Sequence, residues 1–275
     1  VWYAVIVKGQ NRPPTARTAD KFDLYEKSVQ TAESDARFLS RRFRAMTGRP
    51  LRNLREDFCG TANILCEFVK LHRLNKGIGI DLDLEPLTWR SARLTQLLEQ
   101  QRNRILLLNK DVREVRSPKV DLITALNFSY FVFKTRAEML QYLKNARRSL
   151  VHDGVMMLDV HGGIDIPIED RETWRVGNFK YAWEVKKFDP VTHNIVCKIH
   201  FLFRDGSRIQ DAFVYDWRLW TLPELQELFD EAGFRNIHVL WEGTDRKTRL
   251  GNGVLRRVKQ GRSEHAWYAV VVGQK

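Results

Sequence analysis

Leu54-Arg55-Glu56-Asp57-Phe58-Cys59-Gly60-Thr61-Ala62 carries a short strand pattern with two carboxylates straight into a Cys-Gly-Thr turn, which opens an amphipathic helix pattern to residue 71. A strand-to-helix turn containing glycine lets a nucleotide-like ligand approach bare backbone, and the helix start offers unpaired N–H groups. A second apolar run, Gly77 to Leu82, holds Asp81 at 21 residues beyond Gly60. That is where a nucleotide-binding unit of this kind needs a carboxylate to accept ribose hydroxyls. Together the two runs predict a site for an adenosine-containing cofactor.

Outward from this unit the periodicity alternates as in a doubly wound sheet. The pattern predicts strands at 51–57, 77–82, 104–108, 120–127 and 154–160, with helices at 61–71, 86–101 and 135–150. Upstream, Asp20 to Met46 reads as one helix that caps the core, within an N-terminal segment of residues 1–50. The binding core would occupy 51–163. After Gly162-Gly163 the period becomes two, in Phe179 to Phe188, Asn194 to Arg204 and Arg208 to Trp217, with Asp189-Pro190 and Asp205-Gly206 at the turns. Residues 164–217 are therefore expected to form an inserted antiparallel sheet. Residues 218–275 return to the core with a helix at Leu222 to Ala232, a Gly233 stop, and strands near Ile237 to Trp241 and Trp267 to Val272.

Composition sets the outer bounds. The chain has 275 residues, 43% of them hydrophobic, with eight Trp, seven Tyr and fifteen Phe, enough for one large core or two smaller ones and unlike a disordered chain. No apolar run reaches the roughly 18 residues of a membrane span, so a cytoplasmic protein with no membrane partner is the expectation. Cys59, Cys66 and Cys197 are too few for a disulfide framework and have no C-x-x-C spacing. His193, Cys197 and His200 cluster, but strand alternation separates His200 from the other two, and no metal is expected. The net charge of +12 favours anionic partners and speaks to association rather than fold.

The chain lacks the G-x-G-x-x-G of a dinucleotide site. The order of elements and the words E-D-F-C-G-T-A, G-I-D-L-D and N-K-D-V resemble the class I S-adenosylmethionine-dependent methyltransferases, from about Leu51 to the C-terminus. The resemblance implies an α/β fold with a Rossmann-like, doubly wound, seven-stranded sheet whose final strand is antiparallel, plus the small inserted sheet. It implies S-adenosylmethionine as cofactor and methyl transfer as the activity. Phe58 and Ala62 stand where the family usually has glycine, leaving Gly60 of the three. The implied cofactor-binding residues are Tyr25, Glu56, Asp57, Cys59, Gly60, Thr61, Asp81, Asp111, Val112 and Asn127. Among them Glu56 corresponds to the family's first-strand acid, Asp111 and Val112 lie near the adenine, and Tyr25 is an N-terminal aromatic over the cofactor.

Acceptor chemistry is expected at Asn127-Phe128-Ser129-Tyr130, which ends the fourth strand. Asn127 resembles the Asn at this place in small-molecule N-methyltransferases of the glycine type, and the prolines of an Asn-Pro-Pro-Tyr adenine motif are missing. Asn127, Tyr130 and His161 are the candidate catalytic residues, His161 as a general base if the acceptor must lose a proton. In the inserted sheet Trp183, Tyr215 and Arg218 are expected to bind a small-molecule acceptor, the sheet acting as its lid. The alternatives are an RNA or protein methyltransferase that uses the basic run Arg246, Lys247, Arg249, Arg256, Arg257, Lys259 and Arg262 on nucleic acid, or a cofactor-binding module without turnover. Finally, Trp2 to Val7 nearly repeats Trp267 to Val272, which raises an extra edge strand or a homodimer.

Overall fold

The computed structural model describes residues 13–275 except Ser117, Arg246, Lys247 and Arg249. The N-terminal half of the near repeat and three members of the basic run thus lie outside the described residues. In chain order the helices are α1 Lys21–Val29, α2 Ala32–Thr47, α3 Asn63–Leu71, α4 Leu84–Arg93, α5 Glu99–Arg102, α6 Arg136–Ser149 and α7 Leu222–Glu231. The strands are β1 Asn53–Asp57, β2 Lys76–Asp81, β3 Ile105–Asn109, β4 Val120–Ala125, β5 Leu150–Gly162, β6 Arg171–Val176, β7 Phe179–Phe188, β8 Asn194–Phe203, β9 Arg208–Arg218, β10 Arg235–Thr244, β11 Gly251–Val258 and β12 Trp267–Gln274.

These elements fall into two compact units. The larger comprises Ala32–His161, Trp220–Ser263 and Trp267–Lys275. Its eight-stranded sheet has the order β11-β10-β12-β5-β4-β1-β2-β3. β1 pairs in parallel with β2 and β4, β2 with β3, and β4 with β5, while β10 is antiparallel to both β11 and β12. This is the expected doubly wound sheet, with one strand more than the seven foreseen. The additional strand is β11, which has no apolar alternation to announce it: Leu255 is its one buried residue, and Arg256 and Arg257 follow directly.

Burial explains why these segments hold together. β4 is wholly buried, as expected for a strand covered on both faces. On α2, Ala32, Ala36, Leu39 and Phe43 recur at helical spacing and face Leu54, Leu65, Phe68 and Leu122 in one continuous core. Each fully buried Leu or Phe there contributes roughly 1.5–3 kcal/mol. α6 is started by a capping box, in which Thr135 and Glu138 satisfy each other's backbone N–H groups.

The smaller unit contains α1, Gly162–Leu219 and Glu264–Ala266. Its sheet is antiparallel in the order β6-β7-β8-β9, one strand more than expected, because Arg171 to Val176 is too charged to read as a strand. One face is apolar, with Tyr181, Ile199, Phe201 and Leu24 of α1 at its core. On the other, Asp211 N–H donates to His200 Nδ1 at 2.9 Å and Glu184 lies 2.8 Å from His200 Nε2. His200 is thus bonded on both nitrogens within the protein, and no group of metal-ligating side chains occurs among the described residues.

The single helix expected over Asp20 to Met46 is two. α1 ends at Gln30 in an extended conformation and α2 begins at Ala32, in the other unit. No Gly or Pro marks the break in the sequence. The expected helix over 86–101 is likewise divided into α4, a 3-10 turn at Leu94–Gln96 and α5.

Candidate functional site

In open α/β sheets a ligand binds beyond the carboxyl ends of the strands, where the strand order reverses. Here β1 lies between β2 and β4, so the reversal falls at β1 and the turn from Asp57 to Asn63 sits at it. Phe58, Gly60 and Ala62 have φ of 55°, 50° and 49°. All three positions of the expected glycine pattern are therefore left-handed, although two carry side chains. Left-handed backbone costs a non-glycine residue roughly 1–2 kcal/mol. Phe58 packs its ring 5.7 Å from Phe133 and 5.9 Å from Tyr142. A Cβ on Gly60 would meet open space, and Ala62 caps α3 without any side-chain hydrogen bond, leaving the backbone at that helix start accessible to a ligand.

The two acids of β1 part company. Asp57 is fully buried, 2.6 Å from Arg55 Nε and 3.0 Å from the Tyr142 hydroxyl, and Arg55 also donates to the carbonyls of Val112 and Val115. Asp57, one of the expected cofactor ligands, instead joins β1 to α6 and to the loop after β3. Glu56, on the opposite side of the strand, is 4% exposed, and its Oε2 has no hydrogen-bond partner. Burial, then the charges of Asp35 and Asp81, push its carboxyl well above the ordinary range. Thr61, 3% exposed, also has an unpartnered hydroxyl oxygen. A buried carboxylate oxygen without a donor is costly unless a ligand supplies one.

Asp81 closes the turn from β2. Gly60 N–H donates to its Oδ2 at 2.7 Å and Asp83 N–H to its Oδ1 at 2.9 Å. Burial raises its carboxyl, while those N–H groups act in the opposite direction. The Cys59 thiol is buried and raised well above its usual range by burial; a Cβ on Gly79 would lie 2.8 Å from its sulfur, so the thiol fills the space that Gly79 leaves. Beyond β3, Arg113 holds Asp111 with its guanidinium and its own N–H, at 2.6 to 3.1 Å. Arg113 thereby pulls the Asp111 carboxyl below the ordinary range. Val112 offers its carbonyl to Arg55 and Asn145.

The end of β4 has a different construction. Asn127 and Phe128 are left-handed, at φ 58° and 59°, and donate their N–H groups to the two oxygens of Asp159, at 2.8 and 3.0 Å. Tyr130 is fully buried and bonds the carbonyl of Asp159 at 2.6 Å, so its hydroxyl serves the link to β5; burial lifts the phenol well above its usual range. His161 stacks on Phe128 at 4.0 Å and 9°. Burial pushes the imidazole down to about 3, so it is neutral near pH 7 and a weak base. Asp159, at 2% exposure, is pushed up to about 7 by burial, against the pull of the two N–H groups. The sequence reading missed Asp159, Arg55 and Arg113; an acid between Leu158 and Val160 in an apolar strand was the available signal for the first.

The larger unit thus brings together Glu56, Gly60, Thr61 and Asp81 at one turn, with Asp111 at the next strand end and Asn127 at the turn beyond β4. Tyr25, Trp183, Tyr215 and Arg218 belong to the smaller unit. There Tyr25 lies 5.0 Å from Phe213, Tyr215 stacks on Trp217 at 4.3 Å and Trp183 is 6.0 Å from Tyr215. Arg218 ends β9.

No protein-family model and no curated protein matches the chain. Solved structures do. An S-adenosylmethionine-dependent methyltransferase from Clostridium acetobutylicum superposes with a TM-score of 0.66 at 16% identity, over 91% of this chain and 96% of its own. An amino pentose methyltransferase from Micromonospora echinaspora, solved with its cofactor, gives 0.63 at 17%, over 90% and 92%. A sugar N-methyltransferase from Streptoalloteichus gives 0.62 at 16%, over 99% and 97%. With near-complete coverage on both sides, the fold of this chain is that of the class I S-adenosylmethionine-dependent methyltransferases.

Proposed function

We propose that the protein is an enzyme that binds S-adenosylmethionine and transfers its methyl group to a nitrogen or oxygen of a small molecule. The observation that carries this reading is the turn after β1. It keeps left-handed backbone at residues 58, 60 and 62, an open approach at Gly60, and an unpartnered carboxylate oxygen on Glu56. The residues fit the cofactor chemically. Glu56 accepts from a cationic amine, and the buried Thr61 hydroxyl is a further polar group on the turn that follows. Asp81 keeps lone pairs for ribose hydroxyls beyond those given to Gly60 and Asp83. Asp111 and the Val112 N–H serve the base.

When bound, the cofactor supplies a methyl group already activated on sulfonium. The chain's own work is then to align the acceptor and exclude water. Asn127 borders the acceptor, its backbone held by Asp159. Burial lowers the His161 imidazole, whose ring stacks on Phe128, so the neutral ring is favoured there. Two of the similar solved structures are named for methylation of sugars, which supports an amine on such a molecule as the acceptor. A second reading, methylation of RNA, rests on exposed Arg256, Arg257, Lys259 and Arg262, at and after the sheet edge formed by β11.

Calorimetric titration with S-adenosylmethionine and S-adenosylhomocysteine, with NAD as control, tests the cofactor. Saturable binding of the first two alone is expected; binding of NAD alone would overturn the reading. Steeply salt-dependent retention of RNA would favour the second reading over the first.

A further inference from the structure

Asp111 is not simply an acid at a strand end. A carboxylate has about four lone-pair directions. On Oδ1 two are taken, by Arg113 N–H at 2.8 Å and Nε at 3.0 Å; on Oδ2 the terminal guanidinium nitrogen takes one at 2.6 Å, with Nε shared at 3.1 Å. One direction on Oδ2 is left. Arg113 is itself fixed. Its guanidinium carbon lies 5.4 Å from the centre of the Phe133 ring, and Glu138 of α6 stands 3.9 Å from its other terminal nitrogen. Phe133 in turn packs against Phe58 of the switch-point turn. A rigid layer of Phe58, Phe133, Arg113 and Asp111 therefore joins the ends of β1, β3 and β4 in the larger unit.

We propose that Arg113 is a positioning residue for the nucleoside base: its fork and the Phe133 face hold Asp111 with a single acceptor direction free, so that the site selects a 6-amino purine against a 6-oxo purine. This rests on the cofactor reading above. An adenine amino group donates one N–H into that direction. A hypoxanthine presents a carbonyl oxygen there, which a carboxylate repels. Without the fork, Asp111 is free about its own torsions, and the acceptor direction is no longer set before the ligand arrives.

The probes are S-adenosylhomocysteine and its 6-deaminated, inosine-containing counterpart, each titrated calorimetrically into the wild-type chain, Arg113→Gln and Arg113→Lys. The readout is the affinity ratio of the two ligands, which a merely structural loss lowers for both and leaves unchanged. The wild type is expected to prefer the amino form at least about tenfold, from the cost of facing a charged acceptor with no donor. Arg113→Gln should bring the ratio close to unity, and Arg113→Lys, which restores the charge but not the fork, should fall between. Should the Gln variant not fold, the Lys variant decides alone by the same ratio. A wild-type ratio near one, or an undiminished ratio in the variants, overturns the role of Arg113 while the cofactor reading stands. If neither ligand binds the wild type, the cofactor reading falls first.

Discussion

The turn after β1 and the turn after β4 are both built from left-handed residues that are not all glycine, yet they dispose of their polar groups in opposite ways. After β4, Asp159 takes two backbone N–H groups on its carboxylate and a tyrosine hydroxyl on its carbonyl, and the one buried polar atom left over is Nε2 of the His161 ring stacked on Phe128. After β1, Glu56 Oε2 and Thr61 Oγ1 are buried without partners, and the helix start has no side-chain cap. Left-handed backbone fixed from within is scaffold. The same backbone with several unmet polar atoms beside it is open to a ligand that brings hydrogen-bond partners to them.

The sharpest way to break this contrast is through pH. Asp159 has a folded-state pKa of about 7 against an ordinary value of 3.8, so between those limits the folded chain binds the extra proton. Stability from this group therefore rises as pH falls from about 7 towards 4, on the order of 4 kcal/mol over the full window. Glu56 shifts in the same direction. Denaturant unfolding from pH 8 to pH 5 should show the gain, and Asp159→Asn should flatten it; an equal slope in the variant would remove Asp159 as the titrating group.

At fixed pH, Asp159→Ala leaves the buried Phe128 N–H and the part-buried Asn127 N–H without an acceptor and should cost about 1–3 kcal/mol of folding stability for the buried group, with a smaller loss from the other. Thermal unfolding would register it. Asp81→Ala should act on binding instead, with cofactor affinity falling by about 1–3 kcal/mol in calorimetry. Equal affinity in this variant would move the ribose contact away from β2. The smallest change is Ala62→Gly. It removes left-handed strain of about 1–2 kcal/mol and loses one buried methyl group worth about 0.8 kcal/mol, for a net gain of up to about 1 kcal/mol. A destabilised Ala62→Gly would show that the methyl packs better than the strain costs.

Adjacent acids show the limit of reading along the chain. Glu56 and Asp57 sit one residue apart, and alternation alone put them on opposite sides of β1. Which side meets Arg55 and Tyr142 depended on α6, 85 residues away. Asp111 was readable as a strand-end acid; its capture by Arg113 depended on a turn that carries both residues round the same corner. The break between α1 and α2 had no local signal, since Gln30 and Thr31 are not helix breakers; the two helices instead belong to separate cores.

By itself the sequence determined the alternation of strands and helices, the position of the glycine turn, and the spacing from Gly60 to Asp81. These follow from periodicity and backbone conformation, which are local. Tertiary structure alone decided which carboxylates are satisfied and which are left open, that Phe58 and Ala62 hold glycine-like conformations, and that His161 stays neutral. It also decided that the charged residues of β11 extend the sheet. Each of these depends on burial and on hydrogen-bond partners far apart in the chain, and desolvation is a property of the surroundings that no residue carries in its own identity.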